Sequence, residues 1–170
     1  MQILVDADSC PREAREMIVR FSHRLGIKAV FVANRQIPGI RKLPEKTNEV
    51  QMEICSKDEG AADDRIVSLA KPGDLVITRD LPLAERIVEA GIAALCDRGR
   101  VFTKENIREF RSLRDFTVGL AETGLDTERI ASYGRKELSA FANSLDRELS
   151  RLKKEIRQDF SQRHEGTENH

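Results

Sequence analysis

The chain has 170 residues, 39% of them hydrophobic, so it is long enough to form one globular domain around a single core. Its 29 Lys and Arg residues balance 29 Asp and Glu residues, which excludes a uniformly basic nucleic-acid-binding protein. No stretch approaches the roughly 18 apolar residues of a membrane span, and the three widely spaced cysteines exclude a disulfide framework or a thiolate zinc site, so we expect a cytoplasmic protein without a membrane partner.

Short apolar runs alternate with helical patterns through the first part of the chain. The predicted strands cover residues 3–5, 27–33, 50–55, 75–78 and 92–95, and the predicted helices cover residues 11–25, 61–70 and 82–90. Pro11 suits the first position of a helix because its φ is fixed, and Gly26 suits the end of that helix. Strands that alternate with helices form parallel sheets covered on both faces. The sequence therefore predicts an α/β fold with a mostly parallel, five-stranded sheet.

The chain beyond Arg98 is predicted to be a helical C-terminal extension, with helices over residues 104–113, 116–121 and 135–160. Apolar residues recur on one face of the last helix: Leu138, Phe141, Leu145, Leu149, Leu152 and Ile156. This stripe predicts packing against the domain itself or against a second copy of the chain in a homo-oligomer. We expect a single domain over residues 1–160 and a polar, disordered tail over residues 161–170.

Aspartates follow two of the predicted strands. Asp6 and Asp8 come after the first strand, and Asp80 comes after the fourth. Residues just beyond the carboxyl ends of parallel strands line the crevice in which α/β proteins bind ligands. Two carboxylates about 4 Å apart repel by roughly 4 kcal/mol at an effective dielectric near 20, so a cluster of them must protonate, separate or hold a cation. The aspartates therefore predict a site for Mg²⁺ or Mn²⁺, which take oxygen ligands.

The second predicted helix contributes a further acidic pair. Asp63 lies three and four positions before the apolar residues Ile66 and Val67, so it shares their sheet-facing stripe. Asp64 is rotated by about 100° from that face. The helical register therefore favours Asp63 over Asp64 as the inward metal ligand.

A carboxylate site of this kind supports phosphodiester hydrolysis. A bound cation lowers the pKa of a water molecule and offsets the charge that develops on phosphorus. The three histidines lie in the first predicted helix and in the tail, so a histidine-based triad is not indicated. Each acidic residue also has a structural interpretation, since Asp8 and Asp80 are suited to cap the helices that follow them.

Several sequence motifs resemble a known family. They are VDADSCP at residues 5–11, FVANR at 31–35, ADDRI at 62–66, GDLVITRDLPLA at 73–84 and GRVFTKENI at 99–107. In these motifs, which span most of residues 1–150, the chain closely resembles the YaiI/YqxD family of functionally uncharacterised bacterial proteins. That family is grouped by similarity with PIN-like nuclease domains, which hold Mg²⁺ or Mn²⁺ on acidic residues and cut RNA or DNA.

The resemblance implies a fold and a set of site residues. It implies a three-layer α/β/α PIN-like domain that acts as a metal-dependent nuclease, on RNA in preference to DNA. The implied metal ligands are Asp6, Asp63 or Asp64, and Asp80, and Asp8 joins them in the catalytic set. We expect substrate contacts from residues in or beside the motifs: Ser9, Asn34, Arg35, Thr78 and Arg79. After Asp80, only Asp97 is a candidate for a further acidic ligand.

A haloacid-dehalogenase-like phosphohydrolase is an alternative enzyme class. A hydrophobic strand that ends in Asp-x-Asp also presents the nucleophile and acid of that class. Asp6 would attack phosphorus and Asp8 would protonate the leaving group. Neither a well-placed lysine nor a second acidic motif follows Thr78, which is the expected phosphate-binding position.

A catalytically degenerate domain that binds RNA or a protein partner is the third hypothesis. Residues 98–163 hold 15 Lys or Arg against 11 Asp or Glu. The candidate contacts are the arginines of this segment: Arg98, Arg100, Arg108, Arg111 and Arg114. Base stacking is poorly supported because Tyr133 is the one tyrosine and the seven phenylalanines fall mostly on apolar stripes.

Overall fold

The computed structural model describes residues 1–40, 49–122 and 133–165. The elements in chain order are β1 (Gln2–Asp6), α1 (Arg12–Leu25), β2 (Lys28–Ala33), β3 (Val50–Ile54), α2 (Ala61–Leu69), β4 (Leu75–Ile77), α3 (Leu81–Glu89), β5 (Ala93–Leu95), β6 (Val101–Phe102), α4 (Ile107–Glu122) and α5 (Arg135–Glu165).

The strands form one mixed sheet in the order β3-β2-β1-β4-β5-β6. Strand β1 pairs in parallel with β2 on one side and β4 on the other, and β3 and β5 extend the parallel arrangement. The short strand β6 pairs antiparallel with β5 at the edge. The prediction of five strands is therefore wrong in its count, because a two-residue strand has no apolar periodicity that would reveal it.

The order of the strands determines where a ligand cleft can form. The chain leaves β1 toward β2 on one side and later returns to β4 on the other side. In open α/β sheets, the crevice at such a change of direction, beyond the carboxyl ends of the strands, is where ligands bind. The ends of β1 and β4 meet there, since Val5 of β1 is in register with Ile77 of β4.

Two hydrophobic clusters cover opposite faces of β1. Ile3 and Val5 pack with buried residues of α1 and α5, whereas Leu4 packs with buried residues of α2, α3 and α4. Successive side chains of a strand point to opposite faces, so both faces of this strand are buried by helices. The continuous apolar sequence of β1 follows from this double burial.

The ends of α1 agree with its capping signals to within one residue. Gly26 is left-handed with φ of 60°, and its N–H donates to the carbonyl of Ser22, as a glycine C-cap does. Pro11 was expected at the first helical position, but it is the extended residue before the helix, with ψ of 153°. The position still suits proline because no helical amide is lost there.

The C-terminal helices differ from the prediction in number and length. Residues 104–113 and 116–121 were expected in two helices, but α4 is continuous from Ile107 to Glu122. Helix α5 includes residues 161–165, which the sequence assigned to the tail, and residues 166–170 lie outside the described residues. Within the described ranges, no helix has the length and apolar character that a bilayer crossing requires.

The apolar stripe of α5 packs on the domain. Phe141, Leu145 and Leu149 are fully buried in the cluster that also contains Ile3 and Val5. At the turn between β5 and β6, the Ser144 hydroxyl donates to the carbonyl of Gly99 at 2.7 Å. The greater part of the stripe is therefore occupied by the chain's own core and is not available for the homo-oligomer contact that the sequence allowed.

Candidate functional site

A cleft of about 670 Å³ opens beyond the carboxyl ends of β1 and β4. Its lining combines carboxylates, arginines and apolar side chains: Asp6, Asp8, Ser9, Arg79, Asp80, Leu81, Arg100, Phe110, Leu113 and Arg114. The acidic residues come from the strand ends, and the last three come from α4. The cleft therefore has an acidic floor, formed by Asp6, Asp8 and Asp80, and a wall that is partly basic and partly apolar.

Asp6 is the last residue of β1 and is only 6% exposed. One carboxylate oxygen, Oδ2, accepts hydrogen bonds from the hydroxyls of Ser9 at 2.7 Å and Thr78 at 2.9 Å. The other oxygen, Oδ1, accepts no hydrogen bond from any described residue. Two hydroxyl donors thus hold the carboxylate in one orientation and leave Oδ1 available to a ligand.

Asp80 lies directly after β4 and precedes α3. Its Oδ1 accepts the N–H of Leu83 at 2.8 Å, so it is the N-cap of α3. Its own N–H donates at 3.0 Å to the hydroxyl of Thr78, and this hydroxyl in turn donates to Asp6. Thr78 is 2% exposed, so this predicted substrate contact connects the two aspartates from below the surface of the cleft.

Asp8 connects the ends of β1 and β2. Its Oδ2 accepts the N–H of Asn34 at 2.7 Å, and its Oδ1 lies 3.4 Å from Nε of Arg35. The side-chain oxygen of Asn34 is buried and has no hydrogen-bond partner among the described residues. Asn34 and Arg35, predicted to contact substrate, are therefore neighbours of Asp8 rather than lining residues of the cleft.

The two aspartates of α2 have different surroundings. Asp63 is half-buried and makes no hydrogen bond or ion pair with any described residue. Burial raises its pKa, and the negative charges of Asp80 and Asp6 raise it further. Asp64 is 73% exposed and pairs with Arg86 at 2.9 Å. Asp63 is thus electrostatically coupled to the acidic floor, although it does not line the cleft.

The fit of these carboxylates to a metal is partial. Among residues 1–40, 49–122 and 133–165, no group of three or more His, Cys, Asp or Glu side chains is assembled closely enough to hold a metal ion. Mg²⁺, however, is commonly held by one or two carboxylates together with waters and substrate phosphates. The oxygens without a described partner on Asp6, Asp63 and Asp80 suit such a site better than a closed, all-protein centre.

Arg79 is fixed by a buried carboxylate. Its Nε lies 2.8 and 2.6 Å from the two oxygens of Asp97, which is 1% exposed. The hydroxyl of Tyr133 donates to the backbone carbonyl of Asp97 at 2.8 Å, and the guanidinium of Arg79 lies 5.7 Å from the Tyr133 ring centroid. Both Asp97 oxygens are therefore engaged by Arg79, which disfavours Asp97 as a further metal ligand.

Sequence reasoning did not identify the apolar part of the wall. Phe110, Leu113 and Arg114 share one face of α4 because they lie at positions i, i+3 and i+4. The guanidinium of Arg100 lies 4.3 Å from the Phe110 ring centroid. The spacing was visible in the sequence, but it did not indicate which way the helix faces.

Comparison with known proteins gives consistent matches along the chain. A profile of the "Uncharacterized BCR, YaiI/YqxD family" matches residues 4–151. A UPF0178 protein of Treponema pallidum is 45% identical over 152 residues, which cover 89% of this chain and 83% of that protein. A UPF0178 protein of Vibrio vulnificus is 39% identical over 91% of this chain. One of Desulfotalea psychrophila is 40% identical over 90% of this chain. Both matches cover the whole of the relative.

No solved structure matches the chain significantly. The assignment therefore depends on sequence similarity, which extends over nearly the whole domain that contains the cleft. On the strength of the profile and of relatives with 39% to 45% identity, the chain belongs to the YaiI/YqxD family.

Proposed function

We propose that the chain is a Mg²⁺- or Mn²⁺-dependent nuclease of the PIN-like type, which hydrolyses phosphodiester bonds in this cleft, on RNA in preference to DNA. The observation that carries the proposal is the pairing of an acidic floor with an arginine-bearing wall in one cavity. Phosphodiester hydrolysis needs a site for a hard cation and positive charge for the remaining phosphates. The cleft offers residues for both.

The chain's own residues have distinct roles in this proposal. Asp6, Asp63 and Asp80 would hold the cation, which when bound supplies an activated water and offsets charge on phosphorus. Ser9 and Thr78 orient the Asp6 carboxylate through their hydroxyls. Asp8 adds negative charge beside Asp6.

Arg79 would bind a phosphate of the substrate. A guanidinium that already makes a bidentate pair with Asp97 loses little further freedom when it contacts an anion. The helices on both faces of the sheet and the cleft at the end of β1 support the PIN-like assignment of the fold.

The contacts of Asp8 disfavour the phosphohydrolase alternative. That mechanism requires Asp8 to carry a proton and donate it to the leaving group. In the structure, Asp8 accepts the N–H of Asn34 and lies beside the guanidinium of Arg35. Both described contacts are with donors, so Asp8 is placed as a hydrogen-bond acceptor rather than as the donor that this mechanism needs.

The test is cleavage of labelled single-stranded RNA and DNA by the purified protein with Mg²⁺, Mn²⁺ or EDTA. We expect cleavage only with a divalent cation, and a faster rate on RNA. Asp6→Asn removes a proposed ligand and should lower the rate at least about a hundredfold, because even the partners of metal ligands are commonly worth tenfold to a hundredfold.

The matched control is Asp146→Asn. Asp146 is an exposed aspartate of α5 that pairs with Arg24 and does not line the cleft. The cleavage rate of Asp146→Asn should equal that of the unmodified protein. Full activity of Asp6→Asn, or no cleavage of either polymer with either cation, would contradict the proposed function.

A further inference from the structure

We propose that the α4 side of the cleft is a base-stacking site, where Arg100 and Phe110 receive a nucleobase of a single-stranded nucleic acid and Arg114 contacts an adjacent phosphate. This inference rests on the proposed function in one respect, since it takes the same cleft to be the place where nucleic acid binds. It assigns substrate contacts to residues outside the acidic floor.

The first argument is that the Phe110 ring packs against the core and supports a guanidinium. The Arg100 guanidinium lies over the Phe110 ring at 4.3 Å from its centroid. The Phe110 ring meets the buried ring of Phe102 edge to face, at 6.1 Å between centroids and 76° between planes. One ring is thus fixed by the core while the guanidinium beside it lines the cleft. A guanidinium that already lies on an anchored ring loses less conformational freedom when it stacks a base.

The second argument is chemical. Leu113 is 59% exposed and lines the cleft beside Phe110 and Leu81. A small phosphate ester would use the arginines and leave this apolar surface in water. A nucleotide carries a flat, largely apolar base next to its phosphate, and bases stack on aromatic rings and on arginine planes. The mixed wall therefore matches a nucleotide better than it matches a free phosphate.

The third argument is the charge balance of the arginines. Arg79 pairs with Asp97 and Arg111 pairs with Glu85. In contrast, neither Arg100 nor Arg114 forms an ion pair with a carboxylate of the described residues, and both line the cleft. An arginine without a carboxylate partner brings its full positive charge to a phosphate, whereas the charge of Arg79 is partly offset by Asp97.

The proposed mode requires a single strand. Bases inside a duplex are paired and stacked on each other, so a side wall of a cleft cannot reach their faces. In an unpaired strand each base has a free face, and stacking of this kind tolerates any sequence. The wall therefore fits unpaired nucleotides of variable sequence.

The experiment compares two labelled ten-nucleotide DNA strands with the same number of phosphates, one of thymidines and one fully abasic. Binding is measured by fluorescence anisotropy in EDTA, so that no cleavage occurs. The unmodified protein should bind the thymidine strand about fivefold to 150-fold more tightly than the abasic strand, which is the range for one stacked base.

The variants separate stacking from charge. Phe110→Leu keeps an apolar side chain but removes the ring, and Arg100→Lys keeps the charge but removes the plane. Each substitution should reduce the preference for the thymidine strand over the abasic strand to less than about twofold. Each should leave the affinity for the abasic strand within about twofold of that of the unmodified protein, since neither removes a proposed phosphate contact. Arg114→Gln should weaken both strands equally and lower the log-log salt slope by about one.

Arg157→Ala is the matched control, because Arg157 is exposed on α5 and does not line the cleft. It should preserve the preference for the thymidine strand. The inference would be overturned if the unmodified protein bound the two strands equally or bound neither. It would also be overturned if Phe110→Leu and Arg100→Lys both kept the full preference for the thymidine strand. If the protein bound the thymidine strand more tightly but cleaved neither polymer, the proposed nuclease function alone would be contradicted. If it cleaved nucleic acid but bound both strands equally, the proposed stacking site alone would be contradicted.

Discussion

Asp63 carries a charge that the described structure does not neutralise. Its carboxyl group is half-buried, accepts no hydrogen bond from a described residue and lies in the field of Asp80 and Asp6. These influences raise its pKa, which means that the folded protein binds this proton more tightly than the unfolded chain does. At neutral pH the ionised form therefore opposes folding, unless a cation binds nearby.

The Asp63→Asn variant should reveal this cost. In EDTA at pH 7 we expect the variant to be more stable by less than about 1 kcal/mol, because solvent screens a half-exposed group. The gain should shrink as the pH falls through the raised pKa of Asp63 and disappear below the ordinary pKa of an aspartate, where the residue is protonated in both the folded and the unfolded state. Urea unfolding at pH 7 and at about pH 3, below the ordinary pKa of aspartate, measures both effects.

Asp64→Asn is the neighbouring control. Asp64 is exposed and pairs with Arg86, so its loss should change the free energy of unfolding by no more than about 0.5 kcal/mol at either pH. If Asp63→Asn proved less stable than the unmodified protein at pH 7 without metal, the electrostatic interpretation of Asp63 would be wrong.

Mn²⁺ should reverse the order of stability of the unmodified protein and Asp63→Asn. A ligand that binds only the folded state stabilises it by about 2.7 kcal/mol at a hundred times its dissociation constant. If Asp63 is a ligand, Mn²⁺ should stabilise the unmodified protein more than Asp63→Asn, and thermal unfolding at increasing Mn²⁺ measures the difference. Equal Mn²⁺ effects on both proteins would remove Asp63 from the proposed metal site.

At the scale of the secondary-structure elements, the N-terminus of α3 combines two tasks in one residue. Asp80 caps the helix through Oδ1, and it also lines the acidic floor of the cleft. The same carboxylate position is favourable for both, because a helix N-terminus stabilises negative charge. Helix capping and the proposed metal binding therefore call for a carboxylate at the same position.

Two substitutions at this position distinguish them. Asp80→Ala removes the cap and should cost about 1 kcal/mol of stability, whereas Asp80→Asn retains a good N-cap acceptor and should cost little. Both variants should lose cleavage if the charge of Asp80 holds the cation. Chemical denaturation and the cleavage assay measure the two effects, and a fully active Asp80→Asn protein would show that Asp80 is only a cap.

At the scale of the whole molecule, α5 joins the C-terminal part of the chain to the sheet. Its buried leucines pack in the same cluster as Ile3 and Val5 of the central strand. At Gly99, with φ of 87°, a Cβ would lie 2.6 Å from the backbone carbonyl of Ala140, so the turn and the helix are in direct backbone contact. The helix is thus part of the domain and should unfold with it.

Leu145→Ala tests this integration. Leu145 is fully buried, so truncation should cost about 2 to 5 kcal/mol of stability. Ser150→Ala, at an exposed position of the same helix, should change stability by less than about 0.5 kcal/mol. Urea unfolding should show one transition whose midpoint does not change over a hundredfold range of protein concentration. A concentration-dependent midpoint would indicate that a second copy contributes to the core.

Local patterns in the sequence accounted for most of the elements. The apolar runs before Asp6 and Asp80 mark strands that are buried on both faces, and Gly26 ends its helix where the pattern places it. The helical register also separated Asp63 from Asp64, because the face that a helical residue shares depends only on its spacing from the apolar stripe. Such features depend on neighbours within a few residues, so the sequence alone determined them.

Only the tertiary structure determined which distant residues meet. The pairing of Arg79 with Asp97, the short strand β6 and the turn of Phe110 toward the acidic floor have no local signature. They depend on how helices and strands pack, and packing is decided by the joint burial of all apolar faces rather than by any one segment. The sequence therefore supplied the carboxylates and the arginines, and the packing of α4 against the sheet placed them around one cleft.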